Sequence, residues 1–213
     1  MIAGALGPYE GALRDRRSLS LTTADGRVLP LDIARYLAEA DDADRTVLGR
    51  CVGPVLDVGC GPGRIVSALA AQGIAALGVD IADVAVELTV RRGALALPRD
   101  IFDRVPGEGR WRTVVVLDGN SGIGGDLSGL LTRLRSLISS TGRIVVEAGS
   151  HVPGTHEVLT ARFASDSAEG PTFRWAVASV DVLAEQALEC GLTVEEQWSS
   201  EGRDFLSLSR AAA

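Results

Sequence analysis

Hydrophobic and polar positions change rhythm at Pro54. From there on, short apolar runs alternate with amphipathic stretches. The runs "PVLDV" (54–58), "IAALGVD" (74–80), "ALAL" (94–97), "TVVVLD" (113–118) and "GRIVVEA" (142–148) read as strands. Between them, "GRIVSALAAQG" sets Ile65, Val66 and Leu69 on a helical face and stops at Gly73, and "ADVAVELTVRRG" stops at Gly93. Asp126 is suited to cap a helix whose core stripe runs through Leu127, Leu130, Leu131, Leu134, Leu137 and Ile138. This alternation predicts an α/β fold: a Rossmann-like doubly wound sheet, mostly parallel, with helices on both faces. The C-terminal end breaks the rhythm. After a helix over "VDVLAEQALECG", the strands "LTVEEQWSS" and "DFLSLSR" are separated only by "EGR". A parallel pair needs a longer crossover, so these two form an antiparallel hairpin and the C-terminal strand is reversed.

Two segments stand outside that pattern. Residues up to 31 read as irregular, with a hairpin over "SLSLTTADGRVLPLD" turning at Asp25-Gly26. Two short helices follow, joined near Asp41-Asp42, and the acidic group Asp41, Asp42 and Asp44 reads as a solvated helix junction. Residues 149–179 interrupt the alternation as an insertion with strands of its own, in which Phe173 and Trp175 read mainly as packing. The expected organisation is an N-terminal helical and hairpin cap over 1–50, then a sheet domain over 51–213 with an insertion at about 149–179.

Composition narrows the chemistry. A chain of 213 residues, 46% hydrophobic, can bury one large core. The formal net charge of −7 argues against nucleic acid as a partner. All 21 basic residues are Arg, so neither a lysine Schiff base nor a phosphate-loop lysine is available. Cys51, Cys60 and Cys190 lack metal-like spacing, and there are two histidines, so no metal site is expected and the thiols read as reduced. No signal-peptide order and no membrane-length apolar run is seen, which gives a soluble cytoplasmic protein with no membrane partner as the expectation.

The most informative stretch is "VLDVGCGPGR", residues 55–64. Asp57 lies at the end of a strand, and Gly59, Gly61 and Gly63 open a helix. Ligands of open α/β sheets bind beyond the carboxyl ends of the strands, where such a loop sits. A dinucleotide fingerprint needs a glycine where Arg64 stands, which argues against a nicotinamide oxidoreductase. The acid beside the loop suits a ligand with an ammonium group and no pyrophosphate. Asp80 ends the next strand, where an acid can bind ribose hydroxyls. Asp100 and Ile101 follow the third strand at the same edge, with Asp103 a competitor for the acidic role. A second glycine-rich stretch, "VVVLDGNSGIGGD" (114–126), ends the fourth strand without any basic residue to hold a phosphate.

"VLDVGCGPGR", "GVD" and the fourth-strand segment resemble the class I S-adenosylmethionine-dependent methyltransferases, as does the reversed C-terminal strand. The likeness covers residues 51–148 by motif and the C-terminal hairpin by pattern. The stretch "LDGNSGIGGD" is similar to one in a group of bacterial small-molecule methyltransferases. The resemblance implies S-adenosyl-L-methionine as cofactor and residue roles to match. Gly59, Cys60, Gly61 and Gly63 would line its methionine part, and Asp57 would orient the loop and reach the ammonium through water. Asp80 would bind the ribose diol, Ile81 would pack on adenine, Asp100 would accept from the adenine amino group, and Ile101 would offer its backbone N–H. Asp118, Gly119 and Asn120 would lie under the sulfonium, Asn120 facing the transfer site. A methyl group would pass to an oxygen or nitrogen of a small-molecule acceptor, a reaction of EC 2.1.1 type. Asp118 and His151 are the candidate general bases. The absence of an Asn-Pro-Pro-aromatic run after the fourth strand lowers the case for adenine or glutamine side-chain nitrogen. The rival reading is a non-catalytic binding module on the same fold.

Overall fold

The structure, a computed structural model, describes residues 5–166 and 168–212. Its main sheet has seven strands: β3 (Val55–Val58), β4 (Ala76–Asp80), β5 (Ala96–Pro98), β6 (Trp111–Val116), β7 (Ile138–Glu147), β10 (Leu192–Ser200) and β11 (Arg203–Arg210). They lie in the order β10-β11-β7-β6-β3-β4-β5. β3 to β7 are mutually parallel, and β11 pairs antiparallel with β7 and with β10. The order reverses at β3, whose neighbours are β4 and β6, and the loops at the strands' carboxyl ends there enclose a crevice.

Strands buried on both faces need apolar side chains at every position, and the two-residue period sorts them into two cores. Leu56, Val58, Val114, Val116, Ile144 and Val146 face one core, closed by α6 (Leu127–Leu137) and α7 (Val180–Glu189). Val55, Val115, Leu117 and Val145 face the other, closed by α3 (Asp42–Leu48) and α4 (Arg64–Ala71). Each such side chain, fully buried, contributes ~1.5–3 kcal/mol. Asp126 caps α6 by accepting from the Gly129 N–H, as its position in the sequence implies.

A second sheet is assembled from segments far apart in the chain. The hairpin β1 (Leu19–Thr23) and β2 (Val28–Leu31) forms as its alternation predicts. β1 then pairs with β8 (His156–Ala164), which pairs with β9 (Phe173–Ala178), giving the order β2-β1-β8-β9, all antiparallel. Leu21 lies opposite Phe163. The N-terminal hairpin and the 149–179 segment thus build one layer. One element departs from the expectation of irregular structure before residue 31: α1 (Gly7–Asp15) is a helix. Pro8 sits in its first turn, where a missing N–H costs nothing, and Ala12 and Leu13 are buried within the second layer's core. Tertiary burial stabilises a helix too short to form alone. α2 (Ile33–Leu37) and α3 are the two short helices expected before the main sheet, and α5 (Asp83–Arg91) follows β4.

Candidate active site

A cavity of about 360 Å³ opens between the two layers. Its floor is the carboxyl edge of the main sheet: Asp57, Gly59, Cys60, Gly61, Arg64, Asp80, Ile81, Arg99, Asp100, Ile101, Asp118, Gly119 and Asn120 all line it. Its roof comes from α1, the hairpin, α2 and the β8–β9 pair: Leu6, Tyr9, Leu21, Leu29, Leu31, Tyr36, Phe163, Trp175, Ala176 and Val177. Every expected cofactor residue except Gly63 therefore reaches one cavity, and Gly63 caps α4 just behind it.

The floor is tightly hydrogen-bonded. Asp80 accepts from the Gly61 N–H (2.9 Å) and the Ala82 N–H (2.9 Å), which clamps the glycine loop to the end of β4. Its carboxyl is nonetheless pushed above the ordinary value, burial outweighing those N–H bonds. Asp57 is 3% exposed and its Oδ2 has no partner among the described residues. Burial first, then the charges of Asp118 and Asp80, raise its pKa to about 8. A buried carboxyl oxygen without a partner at a cavity floor is a site for a cationic or N–H-bearing ligand, which would draw the group into its charged form. Asp100 accepts from the Phe102 N–H at 3.0 Å. Cys60 packs into space left by Gly78, and burial pushes its thiol well up, toward the protonated form of a packing side chain.

The loop after β6 differs from expectation in what its glycines approach. Asn120 Nδ2 donates to the Gly59 carbonyl at 2.9 Å, so it ties the two glycine loops together at the cavity wall. A Cβ on Gly122 would meet the Ala176 carbonyl oxygen at 2.1 Å, so this glycine is required for β9 to sit on the loop. The close approach is to the roof strand.

Both candidate bases need correction. Asp118 sits in the left-handed region (φ 57°). Its Oδ1 accepts from Arg35 Nη1 (2.7 Å) and Arg203 Nη2 (3.3 Å), and its Oδ2 accepts from Arg64. Its own N–H donates to Glu147 Oε2 at 2.6 Å. Three guanidiniums hold the carboxylate's lone pairs, so it is not a free base. His151 lies outside the cavity: its side chain is 62% exposed and Nδ1 contacts Asp204 Oδ2 at 2.9 Å. Its place just beyond β7 in sequence did not bring it into the cavity.

The group around Asp118 was not anticipated as a unit. Asp44, 0% exposed, binds Arg64, Arg203 (2.8 Å) and Arg35 (3.3 Å), and it closes a reciprocal cap with Asp41 at the start of α3. Arg203, from β11, also makes a two-pronged pair with Glu147 at 2.6 Å on each arm. Asp44 is thus a core anion and no part of a solvated junction. The one signal in the sequence was Arg64, a charge inside an otherwise apolar helix start.

Strand order, reversed C-terminal strand and glycine loop together define the fold of the class I S-adenosylmethionine-dependent methyltransferases. A solved S-adenosylmethionine-dependent methyltransferase from Bacteroides fragilis, in complex with S-adenosyl-L-homocysteine, superposes with TM-score 0.84 over 98% of this chain and 97% of its own, at 20% identity. The 1,6-didemethyltoxoflavin-N1-methyltransferase of Burkholderia thailandensis, holding its substrate and S-adenosylhomocysteine, matches with TM-score 0.63 over 85% of this chain and 82% of its own, at 17% identity. The CcbJ methyltransferase of Streptomyces caelestis matches with TM-score 0.62 over 81% and 90%, at 16% identity. No family model and no curated protein matches the sequence. Among the described residues, no helix is long and apolar enough to cross a membrane and no cluster of metal-ligating side chains occurs.

Proposed function

We propose that the chain is an S-adenosylmethionine-dependent methyltransferase acting on an oxygen or nitrogen of a small molecule. The observation that carries this reading is the unpartnered Asp57 carboxyl oxygen beside a glycine loop clamped by Asp80, all on the floor of one cavity. The full-length likeness to a methyltransferase holding S-adenosyl-L-homocysteine supports it.

The residues fit the cofactor. Backbone groups of Gly59 and Gly61 would hold its methionine end with Asp57, Asp80 would meet the ribose, and Ile81, Asp100 and Ile101 would enclose the adenine. Asp118, Gly119 and Asn120 would border the transfer site. When bound, the cofactor supplies an electrophilic methyl group on a sulfonium. The chain's own part is to bind, align and exclude water. Asn120 fixes the two loops against each other. The guanidinium cluster holds Asp118 and the loop after β6 in one geometry. The second layer covers the cavity.

Calorimetric titration with S-adenosyl-L-methionine and S-adenosyl-L-homocysteine tests the proposal. Saturable binding with Kd of roughly 1–100 μM is expected, and no heat at about 1 mM ligand would overturn it.

A further inference from the structure

The two sides of the cavity differ in chemistry, and the difference speaks to the acceptor. The charged side chains among the lining residues are Asp57, Arg64, Asp80, Arg99, Asp100 and Asp118. All belong to the floor, and Asp80, Arg64 and Asp118 are already hydrogen-bonded or ion-paired. The roof contributes ten lining residues and none carries a charge.

Over the loop that follows β6, the roof presents Trp175 and Val177 from β9, and Tyr36 stands near Asp118, while Leu29 and Leu31 line the opposite edge of the roof, three strands away from Trp175. The Trp175 backbone bridges to Ile123 of that loop and its indole packs against Gly122, beside the expected transfer site. The Tyr36 hydroxyl has no hydrogen-bond partner among the described residues. Burial and the charge of Asp118 hold it protonated, so it can donate to an acceptor atom. Asp118 is held by three guanidiniums and His151 lies outside, so neither candidate base stands free beside this space.

Resting on the reading above, we infer that the acceptor is an uncharged, flat, largely apolar ring compound whose own nucleophile needs no protein base. An aromatic ring nitrogen has that property, because its lone pair is free without loss of a proton. The ring lies against Trp175, and Tyr36 provides the polar contact. A charged acceptor would be desolvated under this roof without a counter-ion. In the transfer, the acceptor's lone pair forms the new bond to the methyl carbon. The carbon–sulfur bond breaks with its electron pair left on sulfur as a thioether, and the positive charge passes from sulfur to the methylated ring nitrogen.

The test separates this inference from the proposed function. Binding of S-adenosyl-L-homocysteine is measured first, by calorimetry, on the full chain. With that ligand saturating, four probes of one shape are titrated: 2-naphthol, isoquinoline, 2-naphthoate and 1-naphthylmethylammonium. The two neutral probes are expected to bind at least about tenfold more tightly than the two ions. Tyr36→Phe is expected to weaken 2-naphthol about 3- to 10-fold and leave S-adenosyl-L-homocysteine affinity unchanged. Trp175→Ala should weaken both neutral probes by a larger factor, with the same check of fold. If S-adenosyl-L-homocysteine binds and either ion binds as well as the neutral probes, or no neutral probe binds, the inference falls and the proposed function stands. If S-adenosyl-L-homocysteine itself does not bind, both fall.

Discussion

The floor and the roof of the cavity are built on opposite plans. The floor is charged, glycine-rich and rigid, made from loops that follow consecutive strands. The roof is uncharged and apolar, made from two segments separated by more than a hundred positions in sequence. The floor offers fixed backbone and carboxylate groups that suit one particular ligand. The roof offers shape and aromatic surface, which discriminate by size and polarity. A fold that serves many acceptors can keep the first and exchange the second.

The comparison can be broken most severely beneath the floor. Asp44→Ala removes the buried anion that Arg35, Arg64 and Arg203 share. A loss of ~3–5 kcal/mol is expected in urea denaturation, since the guanidiniums stay buried with one partner fewer. Gly122→Ala attacks the joint between floor and roof. Its Cβ would strike the Ala176 carbonyl, so β9 must shift, at a cost of ~1–3 kcal/mol. Cofactor affinity should suffer less than naphthol affinity, a contrast that two calorimetric titrations resolve. Asp80→Ala should have the converse effect and weaken S-adenosyl-L-homocysteine about 10- to 100-fold, because two charge-assisted N–H bonds that shape the loop are lost with the carboxylate.

A fourth outcome concerns pH. The Asp57 carboxyl has a folded pKa of about 8 against an ordinary 3.8, so the folded state holds a proton that the unfolded state releases. Its contribution to stability is full below the unfolded value and is lost as pH rises through about 8. Asp57→Asn should therefore reduce the downward slope of unfolding free energy between pH 4 and 8, measured by denaturant titration at several pH values. Asp80, shifted in the same direction, keeps part of that slope. The smallest effect belongs to His151→Ala. An exposed contact with Asp204 is worth well under ~1 kcal/mol, and turnover should be unchanged in a methyl-transfer assay.

The floor was legible in the sequence because it is local. A strand, a glycine loop and a helix are consecutive, and period-two and helical patterns mark their ends, so Asp57, Gly59, Asp80 and Asp100 could be placed on one sheet edge. The hairpin at 19–31 and the cap at Asp126 were readable for the same reason. What escaped depends on distant pairing. Nothing in "SLSLTT" states that it pairs with "LTARFA". The partners of Asp118 come from α2, α4 and β11, which no spacing rule connects. The helix α1 carries a weak pattern and stands because it is buried in the second layer.

The pairing of β1 with β8 has a consequence for synthesis. β1 leaves the ribosome well before its partner strand, which ends at Ala164, so one edge of β1 stays open until β3 to β7 of the main sheet have emerged. Long-range pairing of this kind forms late, after the closure entropy of the intervening chain has been overcome. The nascent protein thus has its glycine loops in hand before the layer that covers them can assemble, and the main sheet itself closes only with β11.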